Sequence, residues 1–388
     1  MSNGGYQLGP YVVSHTQDGI QLSNQGPGLP EPLAGILSVR LATEKRGATP
    51  IVPESLQPAE GGGVLFTGTS TEGVELTGHL LYNDQKGAMD LFVYLANRGA
   101  DVRIRTEVDL QLFCESDPEW QIPGLFYNEN RVHDCPLNYP AFSVIRRDPS
   151  KYMSSYWAFR SDRASFPVVF CKTFRMVGYV SLAETIGKNG ESPVGPLLTG
   201  IGLSAGDLYP NLTAYVPYIE EPVKYSFCQE DGNVREQKFF TFERNATLQF
   251  AVTVGIEKAV DRTREEALRR LYEADYPNHS LQPKMGTTEA QRLAAIGMER
   301  WHLDPDEGML YETSVFDYYF GSENTHWDRM EMPTGWRSGI FPAYVILWTG
   351  RETMNAEDVH GAQSGIDRIT KNLAPCAAPF PKFTPERG

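Results

Sequence analysis

Residues 325–339, Thr-His-Trp-Asp-Arg-Met-Glu-Met-Pro-Thr-Gly-Trp-Arg-Ser-Gly, gather a dense set of chemically capable side chains. Asp328 and Glu331 stand three residues apart. On a helical turn such carboxylates share a face, and their repulsion raises the pKa of one toward proton donation at neutral pH. Arg329 and Arg337 are placed to hold a hydroxyl or to keep the other carboxylate ionised. Trp327 and Trp336 offer flat apolar faces, and His326 reads as a loop hydrogen-bonder. A structural assignment competes with this chemistry. In it Asp328 caps the following helix, Glu331 pairs with Arg329 or Arg337 at the surface, and the tryptophans belong to a core.

A second cluster follows the Pro123-Gly124 turn. Tyr127, Asn128, Glu129, Asn130 and Arg131 combine amides, an acid and a guanidinium, enough to clamp a polyhydroxylated ligand. Asn side chains that bond their own backbone are the alternative. Trp157, Arg160, Asp162 and Arg163 read as a strand end with a local ion pair. The glycine-rich residues 195–206 open no helix, so they make no phosphate cradle, and no H-E-x-x-H occurs. Five cysteines (Cys114, Cys135, Cys171, Cys228, Cys376) are an odd number scattered without C-x-x-C spacing, so neither a zinc site nor a disulfide framework is expected; no other metal and no cofactor is expected either.

The elements that must position these groups fall into two regimes. Hydrophobic residues make up 41% of the 388, charged residues 22% and aromatics 11%, a globular balance. Residues 1–260 alternate with period two, as in Val102, Ile104, Val108, Leu110 and Leu112, and again in Leu248, Phe250, Val252 and Val254. Gly, Pro, Asn and Asp punctuate the runs. Many short strands without helical pattern between them predict a large antiparallel sandwich of two broad sheets. From residue 261 the period lengthens. Thr263 and Glu266 have capping-box spacing ahead of Leu268, Leu271 and Tyr272. A second helix aligns Leu293, Ile296 and Trp301. Residues 338–350, apolar nearly all round, pair with an amphipathic segment carrying Val359, Ile366, Ile369 and Leu373 as an αα-hairpin. Residues 376–388 form a Pro-rich tail without period.

The formal net charge of −14 opposes nucleic acid, anionic membrane and polyanionic polysaccharide as partners. No apolar run approaches the roughly 18 residues of a membrane helix. The first residues lack the basic and apolar regions of a secretory signal, so the expectation is a cytoplasmic protein with free thiols.

Residues 117–131, 154–170 and 316–353, with sandwich preceding helices, resemble the six-hairpin glycosidase group over most of residues 5–375. That resemblance implies a β-supersandwich of the galactose-mutarotase kind over 1–260, followed by an (α/α)6 toroid. Here 261–375 supply too few helices to close the ring, so the expected fold class is α+β with an incomplete toroid. The resemblance further implies an inverting glycoside hydrolase acting on a neutral oligosaccharide. Asp328 or Glu331 would protonate the leaving oxygen, and the second carboxylate would come from a later hairpin. Trp327, Trp336 and Arg337 would contact the sugar, with Tyr127, Glu129, Asn130 and Arg131 reaching over the mouth. A disaccharide phosphorylase of this architecture and a non-catalytic glycan-binding or assembly module are the alternatives. An unclosed ring predicts little turnover in this form, and its exposed apolar face favours a homo-oligomer.

Overall fold

The computed structural model describes residues 5–114, 118–127, 141–143, 153–187, 190, 192–206, 208–222, 238–277, 285–304 and 309–310, together with positions 344, 347–351, 360, 363 and 367. The chain forms two compact units, Met1–His279 and Ser280–Gly388.

The first unit is an antiparallel sandwich. One sheet runs in the order Tyr6–Leu8, Tyr11–Thr16, Gly19–Asn24, Leu33–Thr43, Val102–Leu112, Asn211–Val216, Gly200–Ser204, Tyr156–Arg160, with Arg46–Pro50 and Phe240–Phe242 joined beside this path. The other runs Glu119–Gln121, Val168–Lys172, Met176–Leu182, Thr247–Lys258, Ala88–Asn97, Val74–Asn83, Val64–Thr69, Ser55–Pro58. Period-two alternation explains the core. Val108, Leu110 and Leu112 of one sheet join Leu248, Val252 and Val254 of the other between the layers, with Trp120, Trp157 and Phe126 fully buried. Tyr11 ties the layers by a polar bond: its hydroxyl donates to the Ile256 carbonyl at 3.1 Å and accepts from the Ile256 N–H at 3.0 Å. The antiparallel sandwich followed by a helical region is the order that the alternation and its later lengthening predict.

Two strands of the second sheet are apolar on both faces, and a helix accounts for it. Val169 and Cys171 point into the inter-sheet core, whereas Val168 and Phe170 point outward, as do Val177 and Tyr179 on the next strand. Helix α1 (Thr263–Asp275) lays Ala267 and Leu271 on those outward residues. Arg270 anchors it, its Nε donating to the Lys86 carbonyl at 3.0 Å and its guanidinium bonding Glu257. The start of α1 differs from a capping box. Arg262, in the left-handed region at φ 64°, is the N-cap and makes no side-chain cap bond. Thr263 lies inside the first turn. Its hydroxyl accepts from the Val260 N–H at 2.9 Å and has the carbonyls of Val260 and Lys258 within donating distance, at 3.0 and 3.1 Å.

In the second unit, α2 (Thr287–His302) precedes a hairpin of Leu303–Asp304 and Met309–Leu310, and positions 344, 347–351, 360, 363 and 367 are helical. Ala295 is buried while Leu293 and Ile296 are exposed. At roughly 100° per residue, the buried side of α2 therefore lies away from the stripe that its larger apolar residues predict.

Candidate functional site

Helix α1 covers the outer face of the second sheet over Val168–Lys172 and Met176–Leu182. Farther along that sheet, over Thr247–Lys258, Ala88–Asn97 and Val74–Asn83, the outward side chains form the floor of a depression of about 460 Å³. Two cross-strand rows make this floor. Thr77 stands opposite Tyr94, and Tyr94 opposite Gln249; His79 stands opposite Phe92, and Phe92 opposite Ala251. Phe92 keeps 46% of its surface exposed, although its neighbours Leu91 and Val93 are buried. Its ring lies 6.3 Å from that of His79, inclined at 39°. The short strand Thr185–Ile186 and Gly187 supply the rim. Gly187 has φ +78°, and a Cβ there would sit 2.4 Å from Cβ of Ser192, so the rim requires glycine.

The chemistry of this depression is aromatic and neutral. None of the described residues lining it is Asp, Glu, Lys or Arg. His79 Nε2 lies 3.0 Å from the Gly62 carbonyl, which only accepts, so Nε2 carries the proton. In that tautomer of the neutral ring, Nδ1 is an acceptor. Thr77, Tyr94 and Gln249 add hydroxyl and amide groups beside the rings. An apolar face edged by a few neutral hydrogen-bonding groups, within a volume of this order, suits a small uncharged polyol.

Tyr127 is the one sequence-predicted site residue among those described. It is exposed, and its hydroxyl accepts from the Gly124 N–H at 2.7 Å across the Pro123-Gly124 turn. Glu129, Asn130, Arg131, Trp327, Asp328, Glu331, Trp336 and Arg337 lie outside the described residues. Trp157 is fully buried, its Nε1 donating to the Ala141 carbonyl at 2.9 Å, while Arg160 bonds Asp162 and Arg163 pairs with Glu220. That end of the strand is structural. Gly202-Leu203-Ser204-Ala205-Gly206 spells the G-x-S-x-G pattern of a nucleophile elbow, which corrects the reading of the sequence as free of that motif. Ser204 instead ends a strand, its Oγ accepting from Gly206 N–H at 3.1 Å in a turn that leads to the next strand rather than a helix.

The residues that sequence reasoning missed are Phe92, Tyr94, His79 and Gln249. The signal was present. In Asp90-Leu-Phe-Val-Tyr-Leu95 alternation places Leu91, Val93 and Leu95 in the core, leaving two aromatics where a solvated face calls for polar residues.

A charged cluster occupies the outer face of the first sheet. Arg105 donates from Nε and Nη2 to Glu107 at 3.0 and 2.6 Å, and Arg40 donates to Asp109 at 2.7 Å. Tyr215 O–H lies 3.3 Å from Tyr156 O–H beside them. Burial pushes the Glu107 carboxyl above the usual carboxylate range, against the pull of Arg105. Each carboxylate has its own guanidinium, which makes this a matched network. Among the described residues, no group of His, Cys, Asp and Glu is placed to hold a metal ion, and no helix is long and apolar enough to cross a membrane.

No known family and no curated protein matches the chain. Solved structures do. A galactose mutarotase-like protein from Clostridium acetobutylicum aligns with 66% of this chain and 95% of its own, at 9% identity and TM-score 0.37. A galactose mutarotase related enzyme from Lactobacillus acidophilus aligns with 67% and 99%, at 8% identity and TM-score 0.39. An alpha-N-acetylgalactosaminidase from Bifidobacterium bifidum aligns with 84% of this chain and 47% of its own, at 10% identity and TM-score 0.38. The chain thus spans about half of that glycosidase. These likenesses are slight. They set neither a family nor an activity for this protein.

Proposed function

We propose that the chain is a carbohydrate-active protein whose sandwich unit binds a neutral saccharide in the depression floored by Phe92. One observation carries this reading: a half-exposed aromatic ring surrounded by hydroxyl, amide and imidazole groups, with no charged side chain among the described lining residues. A pyranose presents an apolar C–H face and a rim of hydroxyls, and those two surfaces match ring and rim. The glycoside-hydrolase reading belongs to residues 261–375 as a partial toroid. There Asp328 or Glu331 would serve as general acid, with Trp327, Trp336, Arg337 and the Tyr127, Glu129, Asn130 and Arg131 loop at the substrate. A non-catalytic glycan-binding module is the second reading. The exposed Phe92 ring favours it, because an aromatic platform among hydroxyl and amide groups supplies binding without proton transfer.

Two measurements test the proposal. Saturation-transfer NMR with glucose, galactose and glucuronate should show the neutral sugars bound and glucuronate unbound; preference for glucuronate, or no contact with any sugar, refutes it. Hydrolysis of a panel of aryl glycosides by the wild type, Asp328→Asn and Glu331→Gln separates the readings. Turnover lost in either variant supports the hydrolase. Turnover unaffected by both removes these acids from the mechanism, and absence of turnover alongside binding supports the module.

A further inference from the structure

A second depression, of about 440 Å³, adjoins the first on the same sheet face. Thr185, Ile186 and Ala251 line both, so the two meet as halves of one trough, with Ala251 on the sheet floor where they join. Ala251 is exposed, and its outward direction is fixed by its register opposite Phe92. The second half has its own aromatic ring. Tyr276, just past the end of α1, is 47% exposed and tilts against Tyr272 at 5.0 Å between ring centroids. Phe92, at 46%, is its counterpart in the first half.

The hydrogen-bonding character of the two halves differs. Lys86 holds the second half together, its Nζ reaching Asp90 at 3.3 Å, Thr253 at 3.1 Å and Asp275 at 3.2 Å. Glu184, exposed, and Asp275 bring carboxylate acceptors to this lining, beside a helix C-terminus whose last turn has no basic residue. Acceptors of this kind bind hydroxyl donors. The first half offers neutral amide, hydroxyl and imidazole groups, the second carboxylates, and each half has one half-exposed ring.

Resting on the saccharide reading above, we propose that the trough holds an oligosaccharide of at least two residues, one stacked on Phe92 and the next on Tyr276, with Glu184 and Asp275 accepting hydroxyls of the second. Repeated aromatic platforms along one trough match a ligand of repeated rings. A monosaccharide fills one half and leaves the other to water.

Calorimetric titration with glucose, maltose, maltotriose, cellobiose and cellotriose tests this. At least one disaccharide series should bind tenfold or more tightly than glucose. Tyr276→Ala should abolish that gain while leaving glucose within twofold. Glu184→Gln, at an exposed position where folding is not at risk, should reduce the gain and likewise spare glucose. Phe92→Ala should weaken every sugar. Equal binding of mono- and oligosaccharides, or a length gain that survives both Tyr276→Ala and Glu184→Gln, overturns the two-residue trough and leaves the saccharide reading standing. Binding of no sugar at all, or binding indifferent to Phe92→Ala, overturns both.

Discussion

Phe92 and Val93 are chain neighbours that point to opposite faces of one strand, so truncating each in turn separates binding from folding. Val93 is 2% exposed within the inter-sheet core. Val93→Ala removes two buried methyl groups at about 0.8 kcal/mol each, and the cavity left behind brings the cost to about 2–3 kcal/mol. Phe92 loses mainly cross-strand contacts with His79 and Ala251, about 0.2–1 kcal/mol. If it stacks on a sugar, Phe92→Ala also loses about 1–1.5 kcal/mol of binding, roughly tenfold in Kd. Urea unfolding followed by tryptophan fluorescence reads the first quantity and sugar titration the second. Val93→Ala should lower the unfolding midpoint and bind sugar normally, while Phe92→Ala should move the midpoint little and weaken sugar binding. A Phe92→Ala destabilisation as large as that of Val93→Ala would mean that the ring is a packed core residue, and the argument for an open platform would fail.

Other expectations follow from single positions. Gly187→Ala forces a Cβ into Ser192 at a left-handed φ, and should cost about 2 kcal/mol and weaken sugar binding by distorting the rim, both read in the same titrations. Trp157→Ala should destabilise the sandwich by about 3–5 kcal/mol in urea unfolding, since the indole is fully buried and stacks on Phe159 at 5.8 Å. Burial raises the folded pKa of Glu107, so the folded chain holds this proton more tightly than the unfolded one. Its contribution is present below the normal glutamate range and is lost as pH rises through the folded value. Wild type should therefore gain stability relative to Glu107→Gln as pH falls through the folded value toward the normal glutamate range, and a flat difference over that fall would refute the burial argument.

The sandwich was legible because period-two alternation encodes which face of a strand is buried, and strands such as Val102–Leu112 and Thr247–Lys258 follow it closely. Helix α1 was legible from Leu271, but not its N-terminus, because capping-box spacing at Thr263 does not specify the left-handed turn at Arg262. The trough was harder to see. Its floor joins the hairpin of Val74–Asn83 and Ala88–Asn97 to Thr247–Lys258, a strand far along the chain, so spacing in the sequence does not bring the three together. Only Phe92 and Tyr94, aromatics on the solvent side of their strand, mark it locally. Val168 and Phe170 posed the complementary difficulty: a strand apolar on both faces implies a cover, but not which segment provides it. The acidic indole cluster around Asp328 drew the sequence reading because its groups are adjacent in the chain, whereas the trough is made by sheet register.

The alternation that builds the floor also separates what can be changed from what cannot. Positions 77, 79, 92, 94, 249 and 251 face outward, and the intervening residues hold the layers together. A library randomised at those outward sites alone could recruit new specificities while the interior stays intact. Deleting one residue from the turn between Asn83 and Ala88 would do the opposite, slipping the hairpin by one and turning Phe92 and Tyr94 inward.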